Sequence, residues 1–434
     1  MGSFKSNKVG LPNWLTYIIA GLVGQFAWTI ENMYLNRYLF YVTGSADYIS
    51  AMVAASAAAA TLTTLLMGAL CDRLGKRKPF MVLGYLIWGI TIVSFAFLDN
   101  PAIKGMAFVG PLIVILDCLM TFFGSSANDA AFNAYVTDTT DDTNRGRVES
   151  VLQILPLVSM LIIFGLFNGM TSGENPQWPL FYYIFGGLTI VAGIVLFFLI
   201  PKDKVEPNKD EPYFKNIFYG FRPSTIKKNP MLYVVLAGHA LFSMGVQVFY
   251  PYFLIYIEHN LGIKDMNFVI LMGAVLLVAC IITVVFGLFM DKIGTNKVLI
   301  PAIITTSVGA TLMFFSKEMG FIIPSGIVMM SGLMISTAAL GAKVRQYTPE
   351  KEVGLFQGIR MIFTVLIPMV TGPYIGEALY KNVVQATYEN EFGQLVTIPN
   401  EYIFLGAAIV MLISIAPIVF IIIKEKKYAK EHTA

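Results

Sequence analysis

Four ionisable side chains, Glu31, Asp117, Asp129 and Arg360, stand inside long apolar stretches of the chain. Charge is costly in such a setting and is kept where it faces a partner or a watery path. At helical rise, Asp129 and Arg360 fall about 12 and 10 Å from the inner ends of their stretches, and Glu31 and Asp117 about 15 and 16 Å from the outer ends of theirs. The first two share a depth, so an ion pair is expected there, for which the hydroxyls of a ligand could compete. The second two share another depth, where carboxylates in a dry site could hold and release a proton, as could Asp129. The competing reading of Glu31 and Asp117 is packing: each is satisfied by neighbouring hydroxyls or amides.

Polar residues gather around these four. Gln25, Thr29, Asn32 and Asn36 recur at helical spacing beside Glu31, with Trp28 at their border. Trp28 offers a ring on which a sugar could stack, although a lone tryptophan also serves as packing or as an interface anchor. Asn128 and Asn133 flank Asp129 and supply directional donors and acceptors. Gln247 falls one turn from Ser243 and two from His239, with Tyr250 nearby, and Gln357 accompanies Arg360. Substrate-binding candidates are therefore Gln25, Trp28, Asn32, Asn128, Asp129, Asn133, Gln247 and Arg360; proton candidates are Glu31, Asp117 and Asp129.

The elements that must position these groups are membrane helices. Of the 434 residues, 56% are hydrophobic and 13% charged, a balance no soluble domain of this length needs. The apolar runs reach the ~20 residues that cross a bilayer, and nearly every face is apolar, which excludes a barrel of alternating strands. Spans are expected near 14–41, 47–70, 80–98, 106–137, 148–170 and 178–200, then 231–258, 266–290, 298–315, 321–342, 353–380 and 402–423. The fold class is all-α, twelve transmembrane helices in two six-helix bundles: 1–200, a cytoplasmic linker 201–229, and 230–434. Twelve spans with an inner N-terminus place 25 of the 30 lysines and arginines on one side, so both termini and the linker are expected in the cytoplasm, and the protein in the cell (inner) membrane. The first span follows Lys5 and Lys8 at full length and reads as retained rather than cleaved. Cys71, Cys118 and Cys280 have no metal or disulfide spacing; no cofactor, metal or nucleic-acid partner is expected.

The halves repeat. Gly68-x3-Asp72-Arg73-x-Gly75-Lys76-Arg77-Lys78 after the second span returns 219 residues later as Gly287-x3-Asp291-Lys292-x-Gly294-x-Asn296-Lys297. A weaker echo joins Asp138…Asn144-Arg145-Gly146 to Tyr347…Val353-Gly354, each leading into a span with a proline, Pro156 or Pro368. With Pro373, these prolines mark bends where motion is easiest. Parallel six-helix repeats around a mid-membrane site are a transporter architecture. The first copy resembles the loop signature of the major facilitator superfamily, which implies alternating access, with this turn as a gating latch. Gly68 would permit close helix approach, Gly75 a tight reversal, and Asp138 would pair with Arg73 or Arg77; the alternative is that the basic residues only enforce topology. Gly287 and Asp291 would be their second-half counterparts.

A narrower resemblance rests on Phe26-Ala27 with Tyr34-Leu35, on Gly75-Lys76-Arg77-Lys78-Pro79-Phe80, and on Asp129-Ala-Ala-Phe132 with Val136 and Arg145. These look like the glycoside–pentoside–hexuronide cation symporters, the family of melibiose permease, chiefly over the first half. That resemblance implies a sugar or glycoside substrate, makes Asp129 a sugar-binding aspartate and puts Arg360 near the place of a lysine. The family's carboxylates of spans one and two are replaced by Gln25, Ala60 and Thr64, leaving Thr61, Thr63 and Thr64, so a proton rather than sodium is the expected coupling cation. Open alternatives are a carrier of an organic anion, drug or lipid, or an uncoupled sugar facilitator. A membrane enzyme lacks a nucleophile or metal cluster, His239, His259 and His432 being scattered. An ATP-driven pump lacks a phosphate-binding Gly-x4-Gly-Lys-Ser/Thr loop, and a channel or receptor has no need of duplicated gating turns.

Overall fold

In hydrocarbon the backbone must satisfy its own hydrogen bonds, and runs of this apolarity do so as helices. A computed structural model describes residues 9–433 apart from 142–143, 174, 202, 204–218 and 350–352. Most of the 201–229 linker and both chain ends therefore lie outside the described residues. The first helix, α1, runs without a break through Leu11–Thr29, Ile30–Tyr34 and Leu35–Thr43, and ends at Gly44, whose φ of 69° only glycine adopts freely. Eleven further helices are long and apolar enough to cross a membrane. They are α2 Ile49–Leu74, α3 Lys78–Asp99, α4 Val109–Thr139, α5 Arg147–Thr171, α6 Trp178–Leu199, α7 Pro230–Asn260, α8 Asp265–Gly287, α9 Thr295–Phe315, α10 Met319–Tyr347, α11 Phe356–Asn382 and α12 Tyr402–Lys426. With α1, whose Gln25, Glu31, Asn32 and Asn36 hold its apolarity below theirs, the described helices make the twelve expected.

The chain divides into two compact units, Met1–Gly44 with Ala58–Tyr213, and Ser45–Ala57 with Phe214–Ala434. In the first, α3 packs along α6 and against α4, while α1 lies on α5 and α6. In the second, α9 packs along α12 and α10, and α7 lies on α11 and α12. The pairing of elements thus repeats with the sequence. Small residues set the closest approaches, as lipid-embedded helices require: a Cβ on Gly89 of α3 would come within 2.6 Å of the Gly186 carbonyl oxygen of α6.

Helix α2 contributes to both units. Its first turns and the turn before it join the second: Ser50 is bonded to the Tyr252 hydroxyl at 2.8 Å and to Glu377, and Lys381 reaches Asp47 and Glu377 at 2.6 Å each. A short hairpin between α11 and α12 was not among the expected elements: β1 Ala386–Glu389 pairs antiparallel with β2 Leu395–Ile398, Ala386 opposite Ile398. The alternation of Thr387, Glu389 and their neighbours, with Gly393 at φ 68° in the turn, accounts for it.

Candidate functional site

Helix α1 presents Gln25, Trp28 and Asn32, three and four residues apart, as partly open side chains along one face. Two polar residues expected with them turn inward instead. Thr29 is buried and its hydroxyl meets Ser159 of α5 at 3.0 Å, and Asn36 is buried with its amide donating to the Asn32 carbonyl. The Trp28 ring lies 5.1 Å from that of Trp88.

Glu31 lies in a widened turn, Ile30–Tyr34, and is buried. Thr121 Oγ1 of α4 donates to its Oε1 at 2.8 Å, while its Oε2 has no partner among the described residues. Asp117, one turn before Thr121, is 1% exposed. Asp129 lies in a second and longer widened turn, Ser125–Phe132, is half-buried, and accepts a hydrogen bond from Ser125 Oγ at 2.9 Å. Such turns free backbone groups and recur at functional positions. Asn133 is exposed one turn further on. Asn128 points elsewhere: its amide donates to the Tyr85 hydroxyl at 2.7 Å, and that hydroxyl donates to the Ala20 carbonyl, tying α4, α3 and α1 together.

In the second unit His239, Ser243, Gln247 and Tyr250 are all partly open on α7. Arg360 of α11 is exposed, two residues before another widened turn, Ile362–Leu366, which the ring of Pro368 follows. Glu31 and Asp129 thus lie within widened turns and Arg360 just before one, whereas Asp117 lies in regular α-helix.

At the turn between α2 and α3, Gly75 has a φ of 61° and makes the reversal; Gly294 repeats it at 88° between α8 and α9. Of the two basic residues expected to meet Asp138, Arg77 does so, Nε to Oδ2 at 2.9 Å, with Asp72 on Nη2 at 2.6 Å. Asp203, just beyond α6, accepts from the backbone N–H groups of Arg77 and Lys78 at 2.9 and 3.2 Å. Arg77 is 5% exposed. Burial works against its charge, but the Asp138 and Asp72 carboxylates outweigh this and hold the guanidinium protonated beyond its ordinary value. Arg73 is exposed, and a Cβ on Gly68 would only graze Ala130 at 4.0 Å, so no close helix approach rests on that glycine here. Gly287 has open space around it, and the side chain of Asp291 lies outside what is described.

Sequence reasoning passed over several of these groups. Thr121 and Ser125 fall at four-residue intervals between Asp117 and Asp129, a signal present in the sequence. Arg37, within the first expected span, is buried on α1 and donates to Thr171 at 3.2 Å and Asn168 at 3.5 Å. Asp203 and the second-half acid Glu425 have no local signature.

A family model described as Major Facilitator Superfamily matches residues 14–263 and 235–434. No curated protein matches the sequence. Among solved structures, a D-xylose-proton symporter superposes with a TM-score of 0.71 at 13% identity, over 94% of this chain and 97% of its own. The nucleoside transporter NupG does so at 0.66 and 12%, over 94% and 98%. The xylose transporter XylE from E. coli, in a partially occluded inward-open form, gives 0.65 and 14%, over 92% and 94%. At these identities the likeness is one of fold.

Proposed function

The chain belongs to the Major Facilitator Superfamily, and from that membership we propose that this multi-pass membrane transporter carries a sugar or glycoside by proton-coupled alternating access. Its motifs around Asp129 and Gly75 resemble those of the glycoside–pentoside–hexuronide symporters. The observation that carries the reading is Asp129: a half-buried carboxylate in a widened turn of α4, with the exposed amide of Asn133 one turn on. Carboxylate and amide side by side suit a polyhydroxylated cargo and would be wasted on an apolar one. Gln25, Trp28 and Asn32 offer further polar and aromatic groups on α1, and within the second unit Gln247 and Arg360 offer polar groups on α7 and α11.

A proton is favoured over sodium because α2 carries Ala60 and Thr64 where that family has carboxylates, whereas Glu31 and Asp117 remain as buried acids on α1 and α4. The basic residues orient both termini and the linker to the cytoplasm of the cell membrane. The halves 1–200 and 230–434 move as bodies joined by that linker, and the Arg77 cluster, made wholly within the first unit, ties the α2–α3 turn to Asp138 and to Asp203 at the start of the linker, the contact that yields as the linker moves.

The test is counterflow in proteoliposomes with labelled melibiose, D-xylose, a glucuronide and uridine, repeated under imposed proton and sodium gradients. Exchange of a sugar or glycoside, accumulation driven by the proton gradient alone, and loss of both in Asp129→Asn and Arg360→Ala are expected. Failure of every sugar, or wild-type rates in both variants, overturns the reading.

A further inference from the structure

Helix α4 carries a polar residue at every fourth position: Asp117, Thr121, Ser125, Asp129, Asn133 and Thr137. Residues four apart are neighbours on a helix surface, so each of the six adjoins the next in a winding stripe, with Ser126 and Asn128 lying off it. Burial grades along it. Asp117, Thr121 and Ser125 are at most 1% exposed, Asp129 is half-buried, and Asn133 and Thr137 are exposed toward the Asp138 end. Each buried hydroxyl is aimed at a carboxylate, Ser125 at Asp129 and Thr121 at Glu31. The stripe ends on a carboxylate whose second oxygen, Glu31 Oε2, has no partner among the described residues.

Packing alone explains this pattern poorly. A buried threonine or serine in a membrane helix normally satisfies itself on the carbonyl four residues back, as the buried Ser126 does on Phe122 at 2.7 Å. Thr121 and Ser125 instead donate to carboxylates, and the burial gradient gives the series one open end.

We propose that this stripe is the proton conduit of the transporter, with Asp129 as its entry group, Ser125 and Thr121 as hydroxyl links, and Glu31 beside Asp117 as the terminal acceptor. Each transfer breaks one O–H bond and makes another. Protonated Asp129 gives its proton to Ser125 Oγ as Ser125 releases its own toward Thr121; Thr121 Oγ1 delivers its proton to Glu31, and both hydroxyls rotate back. The net result moves one proton from Asp129 to Glu31 and stores none on a hydroxyl. The Cβ atoms of residues one turn apart are roughly 5–6 Å from each other, a gap that one water hydrogen-bonded to both hydroxyls spans, and the step from Ser125 to Thr121 runs through such a water.

This rests on the proton-coupled reading above, and its test needs no solute. Purified protein is jumped from alkaline to neutral pH, and the infrared band of the protonated Glu31 carboxyl, assigned by its loss in Glu31→Gln, is followed in time. Thr121→Val, Ser125→Ala and Asp129→Asn are expected to slow its rise by roughly tenfold or more, and Thr121→Ser, which keeps the hydroxyl, to leave it unchanged. An unchanged rate in both Thr121→Val and Ser125→Ala, or no band lost in Glu31→Gln, overturns the conduit while leaving sugar-driven proton uptake to be judged by itself. A wild type that moves no protons with its sugar overturns the coupling reading even where the infrared result stands.

Discussion

The turn between α2 and α3 and its repeat between α8 and α9 occupy equivalent places and hold opposite charges. In the first, the buried cation Arg77 gathers Asp72 and Asp138, and Asp203 caps its backbone. In the second, the residue 219 positions on is Asn296, and the centre is an acid: Glu425, at the end of α12, accepts from Lys343 at 2.7 Å, from Asn296 at 2.5 Å and from the Tyr347 hydroxyl. The same three elements meet each time, a turn, the end of the fourth helix of the half, and the chain leaving the sixth. The chemistry differs in balance. The first cluster has more acid than base, and its Asp72 side chain is 60% exposed. The second pairs one ammonium, 4% exposed, with one carboxylate. Duplication preserved where the ties are made; under the gating role proposed above, the more exposed first cluster is the one expected to release and re-form, and the buried, balanced second to fasten α12.

The largest effect should come from breaking the balanced cluster. Glu425→Ala leaves the Lys343 ammonium buried without its carboxylate, a loss that typically costs about 3–5 kcal/mol. Thermal unfolding of the purified protein in detergent should show a large drop, whereas Glu425→Gln, whose one amide oxygen can still accept from Lys343 and Tyr347, should recover part of it. Arg77→Ala should cost less in stability, about 1–3 kcal/mol, because the acids it leaves are already partly in water. Its transport rate should nevertheless fall further than that of Glu425→Gln at matched expression. If Arg77→Ala proves the more destabilising and the less damaging to transport, the contrast between a releasable and a permanent tie is wrong.

A smaller effect sharpens the comparison by converting one cluster into the other. Asn296→Arg alone brings a second cation beside Lys343 with only Glu425 to share, and Tyr347→Asp alone adds a second acid there. Together they recreate the arginine and aspartate of the first half. The double variant should be more stable than the singles predict, by a coupling of about 0.5–2 kcal/mol in a double-mutant cycle. Strict additivity would mean that the two turns are not structurally equivalent.

How much of this the sequence disclosed follows from the range of the interactions. Helices and the α2–α3 reversal are local, so apolar run lengths and the Gly75-Lys76-Arg77 element were enough to place them and to point at Asp138. The equivalence of Gly75 and Gly294 was legible for the same reason. Asp203 and Glu425 were not, because each acts on a turn more than a hundred residues away in the chain and has only an ordinary acidic setting of its own. The widened turns at Glu31 and Asp129 leave no mark in residue type, since an extra residue per turn is imposed by packing around the helix. Thr29 and Asn36 misled for a related reason: helical spacing gives a polar face but does not say whether the next helix, here α5 through Ser159, already covers it.

The weakest tie tests the opposite end of the second unit, where Asp47 meets Lys381. Burial acts to raise the Asp47 carboxyl, but the hydrogen bonds from Lys381 and Ser45 and the ammonium charge outweigh it and hold the group below its ordinary value. A carboxyl lowered on folding adds stability above its unfolded value of about 3.9 and loses it as pH falls through the folded one. The Asp47 side chain is 61% exposed, so screening by water limits the contribution to about 0.2–1 kcal/mol. Asp47→Asn should therefore lower the unfolding temperature slightly and evenly from neutral pH down to the ordinary carboxylate range, and the gap to wild type should close only below it. Raised salt should shrink the same gap, while leaving the Glu425→Ala deficit nearly intact, because the Lys343 ammonium is screened by protein rather than by ions. A gap at Asp47 that resists salt as the Glu425 deficit does would place it among the permanent fastenings.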